Sequence, residues 1–396
     1  MMLFRYLICF FAGGLMLQAR GQSLPDFRFQ QVEGLSQNTV FNVMQDKQGF
    51  LWAGTGDGLN RYDGASFKTF KPSPLNEDGW LKGRVIRTRI VEDDSNRLWI
   101  STETGLQYFD KRKDRFQYML PFHDSAGYMN GSQYPIQLVG DQFWFGQTTG
   151  GLLSYNLHTQ QYQRYPFPGA DKNPMQFLGE KTLYDGHGNF WSPQAAGLYC
   201  FNIQTGRWTL FLENVNLRHS CLVNKTLYLV TENGILLFNI TDYHTRFIPT
   251  KQPGSSFRCM TTDHNNQVWL GDMLGKIYRI DENAGALITI GNINGDKRNI
   301  FPVYYLFFDA SDILWVGTDG MGLLKADIHP SQFLLYPDKK SKETLFIKSL
   351  YEDKEGAIWL GTFGKDILLF DRKTKTANPI TFDPFNDVST TPKVVS

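Results

Sequence analysis

Short runs of apolar residues, each broken by a turn rich in glycine and acidic residues, recur along this chain. The stretch Gln45–Tyr62, QDKQGFLWAGTGDGLNRY, shows the unit most clearly. A turn containing Asp46 and Gly49 leads into an apolar run that ends at Trp52, and a second short run follows a glycine-rich break. Two brief strands joined by a tight Gly/Asp turn indicate a β-hairpin. The tryptophan is too large for a turn, so we expect it to pack between neighbouring copies.

Eight copies of this unit follow one another at a period of roughly 44 residues, which is typical of propeller blades. Each copy contains about four strand-like runs, and no segment shows a sustained helical period with caps. Such a pattern predicts an all-β fold made of β-propeller blades. We interpret the glycines and acids of the motif as structural, because they suit positive φ and Asx-type turns. The aligned structural positions are Trp52, Trp99, Trp144, Trp191, Tyr228, Trp269, Trp315 and Trp359.

The number of blades follows from how the ring closes. An alternating segment, Phe27–Gln31, precedes the first full repeat, and we expect it to form the outer strand of the seventh blade, since an open ring would expose two sheet edges. Residues 22–327 are therefore predicted to form a seven-bladed β-propeller of four-stranded blades. A similar segment, Ser331–Tyr336, precedes the eighth repeat, so residues 328–396 are expected to hold the first blade and start of a second, truncated propeller. An eight-bladed ring is the alternative.

The N-terminus has the features of a secretory signal peptide. Arg5 supplies a positive charge, Tyr6–Leu17 is an apolar core, and the small residues Ala19 and Gly21 predict cleavage before Gln22. Residues 1–21 are thus expected to direct export. No later stretch is long and apolar enough to span a bilayer.

Composition and motifs give no indication of catalysis. The formal net charge of +1 does not favour a nucleic-acid partner. Cys200, Cys221 and Cys259 remain after cleavage, and an odd number in separate repeats argues against a disulfide framework or a zinc site. The chain has no GxSxG, HExxH or P-loop motif, and its seven histidines are scattered. We therefore predict no catalytic residue, no metal site and no cofactor.

The loops that join the repeats vary in length, and variable loops on a rigid scaffold are where binding usually takes place. Three of the longest are Lys71–Arg84, Gln117–Gln133 and Glu282–Ile300. Aromatic rings stack on sugar faces, and guanidinium groups pair with carboxylate or sulfate. The favoured alternative is that the aromatic rings only cover blade edges. The candidates for ligand binding are Trp80, Arg84, His123, Tyr128 and Arg298.

The opening segment Val32–Val40, followed by Asp46–Asp63, resembles the two-component-regulator propeller repeat. The resemblance covers residues 25–371, although the repeats at 141–156 and 224–239 lack the acid-and-glycine turn before the aromatic residue. Such repeats form the periplasmic sensor region of hybrid two-component histidine kinases in polysaccharide-degrading bacteria.

The resemblance implies two seven-bladed propellers, an immunoglobulin-like domain, a membrane helix and a histidine kinase. It also implies a periplasmic location, an oligosaccharide ligand and a homodimer. The kinase and the other downstream signalling domains are absent from this chain, so we expect it to sense a ligand without being an enzyme itself.

Two other functions remain open. The first is a periplasmic propeller enzyme, either a polysaccharide or streptogramin-type lyase or a glycan hydrolase. Asp46 precedes Gly49 by three positions rather than the two of a sialidase Asp-box, which weakens the hydrolase alternative. A lyase would need a His or Tyr base and usually a metal near the central channel. The second is a propeller that serves as a protein-docking platform.

Overall fold

The computed structural model describes residues 28–75, 77–119, 133–147, 151–168, 181–251, 253–295, 299–328, 346–363, 367–371 and 376–380. The chain divides into two compact units, Met1–His329 and Pro330–Ser396. The described residues form eight four-stranded antiparallel sheets and one 3₁₀ turn at Gly254–Ser256, with no α-helix. The predicted all-β propeller architecture is therefore confirmed. The predicted signal peptide and the segment Ser331–Tyr336 lie outside the described residues.

Sheets 1 to 4 each contain four consecutive strands. Sheet 1 has β2 (Val40–Gln45), β3 (Leu51–Thr55), β4 (Gly58–Tyr62) and β5 (Phe67–Phe70). Sheet 2 has β6 (Val91–Glu92), β7 (Arg97–Thr102), β8 (Gly105–Asp110) and β9 (Arg115–Tyr118). Sheet 3 has β10 (Gln133–Val139), β11 (Gln142–Gln147), β12 (Gly151–Asn156) and β13 (Tyr162–Pro166). Sheet 4 has β14 (Leu183–Tyr184), β15 (Asn189–Gln194), β16 (Gly197–Asn202) and β17 (Arg207–Glu213).

The remaining sheets follow the same order, except that sheet 7 includes the N-terminal strand β1. Sheet 5 has β18 (Ser220–Val223), β19 (Thr226–Val230), β20 (Gly234–Asn239) and β21 (Thr245–Pro249). Sheet 6 has β22 (Phe257–Thr262), β23 (Val268–Asp272), β24 (Lys276–Asp281) and β25 (Ala286–Asn292). Sheet 7 has β26 (Val303–Phe308), β27 (Ile313–Thr318), β28 (Leu323–Asp327) and β1 (Gln30–Val32). Sheet 8 has β29 (Ile347–Glu352), β30 (Ile358–Thr362), β31 (Leu368–Asp371) and β32 (Thr376–Pro379).

Sheet 7 joins the two ends of the first unit. Strand β1 pairs antiparallel with β28, and Gln31 lies opposite Leu324. The Thr39 hydroxyl also donates a hydrogen bond of 2.8 Å to Asp319, which follows β27. The strand predicted for this place was Phe27–Gln31. The paired strand begins and ends later, and the first residue of the predicted segment lies outside the described residues.

Seven clusters of buried apolar side chains hold the sheets of the first unit together. Each cluster contains residues of two neighbouring sheets, from sheets 1 and 2 through to sheets 6 and 7. The seventh joins sheet 7 to sheet 1 through Val40, Trp315 and Leu323. The seven sheets therefore pack in a closed ring, in which each sheet buries its faces only against its neighbours.

A single carboxylate organises the turn before the second strand in six of the eight sheets. In sheet 1, Asp46 Oδ1 accepts hydrogen bonds from the backbone N–H groups of Gln48 and Phe50, both at 3.0 Å. The other oxygen, Oδ2, accepts the indole N–H of Trp52 at 2.9 Å. An indole N–H that is buried without a partner costs free energy, so this bond makes tryptophan acceptable in the core. The same bond joins Asp93 to Trp99, Asp185 to Trp191, Asp263 to Trp269, Asp309 to Trp315 and Asp353 to Trp359.

Sheets 3 and 5 lack this carboxylate, and their aromatic residues differ accordingly. The Trp144 indole N–H is buried and has no hydrogen-bond partner among the described residues. Tyr228 takes the tryptophan position in sheet 5, and its hydroxyl donates to Glu282 in the loop after β24. The two repeats whose sequences depart from the motif are therefore the two that depart from its hydrogen bonding.

A buried cation joins sheets 1 and 2 at the same turn. Lys111 Nζ lies 3.1 Å from Asp46 Oδ2 and 2.5 Å from Glu92 Oε1. All three side chains are at most 6% exposed. Removing one partner of a buried ion pair leaves an uncompensated charge in the core, which is strongly unfavourable.

The second unit contains sheet 8, which has an exposed apolar face. Leu350, nine residues before Trp359, is 68% exposed, whereas Leu306 at the same repeat position in sheet 7 is 3% exposed. Tyr351 and Phe363 are similarly exposed. Sheet 8 thus has the sequence pattern of a packed blade, but these apolar side chains are exposed.

Replacing tryptophan by phenylalanine separates the indole hydrogen bond from the packing of the ring. We expect Trp269→Phe to lower the free energy of unfolding by about 2 kcal/mol more than Trp144→Phe, because only Trp269 loses a bond to a carboxylate. Both side chains are 2% exposed, so the loss of apolar volume is matched. Urea unfolding of the two variants measures the difference, and equal losses would contradict the structural role of the carboxylate.

The buried ion cluster gives a second prediction. Lys111→Met should lower the free energy of unfolding by about 3 kcal/mol, because Glu92 and Asp46 then share a buried site without a cation. Lys113→Met is the matched control, since Lys113 is 73% exposed and lies 3.8 Å from Asp110. We expect its effect to be below about 1 kcal/mol. Thermal and urea unfolding distinguish the two, and a silent Lys111→Met would show that the cluster does not hold the sheets together.

A charge placed at the same repeat position should have opposite outcomes in sheets 7 and 8. Leu306→Lys buries an ammonium group in the ring and should cost about 4 kcal/mol or prevent folding. Leu350→Lys should leave the unfolding temperature unchanged and reduce the binding of an apolar dye. A large loss of stability in Leu350→Lys would mean that this face is covered in solution.

Candidate functional site

The loop candidates predicted from the sequence lie only partly within the described residues. Trp80 is 51% exposed, and Arg84 Nη1 lies 3.4 Å from Asp57 Oδ1 in an exposed ion pair. The structure therefore places Trp80 and Arg84 at the surface beside sheets 1 and 2. His123, Tyr128 and Arg298 lie outside the described residues, and all five remain predictions.

The aligned aromatic positions all lie on the second strand of their sheets, from Trp52 on β3 to Trp359 on β30. The seven in the first unit are at most 4% exposed. Their rings pack between sheets and are out of reach of a ligand at the surface.

A channel of about 690 Å³ opens in the first unit. Its wall is formed by the first strands of sheets 1, 4, 5, 6 and 7 and by the segment before β6 in sheet 2. This volume lies within the range of small-molecule pockets. We call this opening the central channel.

Several residues face the central channel because of a bulge in the first strand. The pairing of β2 with β3 skips Phe41, that of β22 with β23 skips Arg258, and that of β26 with β27 skips Tyr304. A β-bulge redirects a side chain, and all three residues line the channel. Each lies eleven residues before the aligned tryptophan. That fixed offset is the signal in the sequence that would have identified them.

The charges on the wall of the central channel have one sign. Its basic residues are Arg87, Arg89, Lys181, His219 and Arg258, and the lining contains no aspartate or glutamate among the residues that the structure describes. Burial, followed by the positive charges of Lys181 and Arg258, lowers the pKa of His219 to about 3. The imidazole is therefore neutral at pH 7. The loop-based candidates did not include any of these residues.

Flat groups form one side of the channel. The rings of Phe41 and Tyr304 are stacked, with centroids 5.9 Å apart and planes inclined by 17°. The Arg87 guanidinium carbon lies 5.0 Å from the centroid of the Phe41 ring. The Tyr304 hydroxyl donates to Asp319 Oδ2 at 2.8 Å, and burial with this hydrogen bond raises the pKa of Tyr304.

The groups on the wall are poorly suited to acid–base or nucleophilic chemistry. Burial raises the pKa of the Cys221 thiol to about 12 and raises that of Cys259 as well, so both stay protonated at pH 7. Tyr304 is likewise protonated, and the low pKa of His219 makes it a weak base. Within the described ranges, no three His, Cys, Asp or Glu side chains are close enough together to hold a metal ion. Nor is any helix there long and apolar enough for a membrane span.

Two segments of the chain match the model of a known family. The family model described as "Two component regulator propeller" matches residues 34–57 and 342–364. Histidine kinase P4 of Formosa agariphila is 42% identical over 60 residues, which are 15% of this chain and 4% of that protein. The match thus covers a small part of a much longer relative.

Solved structures share the fold at low sequence identity. The extracellular domain of the hybrid two component system BT3049 from B. thetaiotaomicron has a TM-score of 0.64 at 20% identity, over 90% of this chain and 49% of that one. The extracellular domain of BT4673 has a TM-score of 0.61 at 18% identity, over 87% of this chain and 46% of that one. This chain therefore spans about half the length of those domains. Virginiamycin B lyase from Staphylococcus aureus has a TM-score of 0.58 at 13% identity, over 76% of this chain and 99% of the lyase.

The structural likenesses show the β-propeller fold, and the family model identifies the repeat at both ends of the chain. Residues 34–57 and 342–364 of this chain therefore match the two-component regulator propeller repeat.

Proposed function

We propose that this chain is the ligand-sensing propeller region of a periplasmic hybrid two-component sensor. Its ligand would be an oligosaccharide, and it would signal to a histidine kinase that is not part of this chain. The observation that carries the proposal is the two matches to the regulator propeller repeat, at residues 34–57 and 342–364. The similarity to extracellular domains of hybrid two component systems supports it.

A periplasmic location is part of the proposal. The charged start, the apolar core and the small residues before Gln22 support export through cleavage of residues 1–21. The extracellular origin of the similar domains is consistent with this location.

We also propose that residues 22–327 form a complete seven-bladed propeller and that residues 328–396 begin a second one. The closed ring of seven sheets and the strand contributed by β1 support the first statement. The second family match, at 342–364, and the 68% exposure of Leu350 support the second. An apolar face of this kind is expected on a blade that packs against a further blade.

Sensing requires that the ligand favours one arrangement of the receptor over another. A ligand that contacts several blades of one ring would stabilise that ring. It would transmit a signal by binding more tightly to one arrangement of the ring and its linked domains than to another. Signalling as a homodimer is proposed on the family resemblance alone.

A lyase is the second candidate, because virginiamycin B lyase matches this chain over 99% of its own length. The wall of the central channel argues against it. His219 is a weak base, and Tyr304 is protonated and hydrogen-bonded to Asp319. The described residues hold no cluster suited to a metal.

A glycan panel tests the proposed function. Thermal unfolding of the chain is measured with oligosaccharides of differing composition. For each one that binds, the concentration is raised to about 100 times its dissociation constant. Binding to the native state alone then adds about 2.7 kcal/mol. We expect one class of oligosaccharide to raise the unfolding temperature by roughly 5 °C and to be recovered intact by mass spectrometry.

Two other results would contradict the proposed sensor function. Turnover of a polysaccharide or a streptogramin, abolished by a chelator, would establish the lyase. Capture of one stoichiometric protein partner with no glycan binding would favour a docking platform.

A further inference from the structure

The central channel combines positive charges on its wall with no aspartate or glutamate among its described lining residues. Arg87, Arg89 and Arg258 come from sheets 2 and 6, so the charges face the channel from different sides of the ring. Elsewhere on this protein, basic side chains are paired with carboxylates, as in Lys47–Asp94 and Lys68–Asp114. Among the described residues, none of the three arginines lies within 4 Å of a carboxylate oxygen. None of the three therefore forms a direct ion pair in the described part of the chain.

The contacts of these arginines leave their donors available. Arg87 lies over the Phe41 ring, a contact that uses the flat face of the guanidinium and not its N–H groups. The Nε of Arg258 donates to the thioether sulfur of Met273, which is a weak acceptor without charge. Arg guanidinium groups bind carboxylate and sulfate through two parallel hydrogen bonds. The channel wall thus contains N–H donors that can bind an oxyanion, and no carboxylate group among its described lining residues.

One acid lies close to this wall, and its oxygens are already occupied. Asp319 Oδ1 accepts the Thr39 hydroxyl and Oδ2 accepts the Tyr304 hydroxyl, both at 2.8 Å. The lowered pKa of His219, to which Lys181 and Arg258 contribute, is in keeping with a positive potential in the channel. Like charges collected without counter-charges destabilise the folded state, which proteins tolerate mainly where the arrangement serves binding.

We propose that the central channel binds an anionic ligand that carries carboxylate or sulfate groups. Arg87, Arg89 and Arg258 hold the oxyanions, and the stacked rings of Phe41 and Tyr304 contact a flat face of the ligand. The opening of about 690 Å³ accommodates a ligand of a few sugar rings. The statement that this ligand is also the sensed signal rests on the proposed function. The binding of the ligand in the channel is independent of that proposal.

A matched pair of ligands tests the charge requirement. Binding of trigalacturonate, which has three carboxylates, is compared by calorimetry with binding of its methyl ester, which has the same sugar backbone without charge. Inorganic sulfate at constant ionic strength is the third probe. We expect the acid to bind at least tenfold more tightly than the ester, because hydrogen bonds to charged groups are worth more than neutral ones. Tight binding of sulfate with no binding of trigalacturonate would support the oxyanion site and exclude an acidic sugar as its occupant.

Variants locate the site. Arg258→Gln and Arg87→Gln should each weaken binding of the acid roughly tenfold and reduce its dependence on salt. Arg112→Gln, at an exposed turn outside the channel, is the matched control and should bind normally. In the absence of ligand, Arg258→Gln should raise the unfolding temperature, since it relieves repulsion. If Arg258 served only to stabilise the fold, its substitution would lower the unfolding temperature instead.

Several results would overturn the inference and leave the proposed function standing. These are equal binding of the acid and its methyl ester, binding of neutral oligosaccharides alone, and binding of trigalacturonate that survives both channel variants. Failure of trigalacturonate and sulfate to bind at all would also overturn it. Failure of the complete glycan panel, with normal binding of sulfate, would instead contradict the oligosaccharide ligand while the oxyanion site stands.

Discussion

A buried carboxylate that accepts two backbone N–H groups and an indole N–H is the interaction on which the ring depends. One of its oxygens closes the turn before the second strand, and the other makes a tryptophan acceptable in the core. In sheet 1 these roles fall to Asp46 and Trp52. Because the tryptophan packs against the following sheet, a local turn is coupled to the contact between blades. The repeated turn therefore sets the contact to the next sheet in the five sheets of the ring that contain it.

Much of the fold was predictable from the sequence, because the repeat places a large aromatic residue and a turn glycine at fixed offsets. The four-stranded sheets and the second-strand position of Trp52 follow from that period. The start of the closing strand β1 was not predictable to the residue, since three paired residues leave little alternation to read. The buried partner of Lys111 was also missed, because a cation and an acid 65 positions apart give no local pattern.

The residues of the central channel were not predicted from the sequence, for a physical reason. Loop length and exposed aromatic rings favoured the outer surface, as with Trp80, whereas the channel is lined by first strands and by the short segments before them. Arg258 and Tyr304 resemble ordinary strand residues until the bulge turns them inward. A bulge appears in the sequence only through its offset from the tryptophan, so the repeats had to be aligned before it could be recognised. The ring then collects basic side chains that are far apart in sequence, with no acid among the described lining residues.

Hydrogen–deuterium exchange of the full chain, with and without trigalacturonate, tests most directly the claim that a rigid ring holds an anionic ligand in its channel. The account predicts slower exchange in the first strands β2, β22 and β26 and in the segment before β6, with no change in the outer strands β5 and β13. Protection confined to the outer loop around Trp80, or no protection in any first strand, would contradict it.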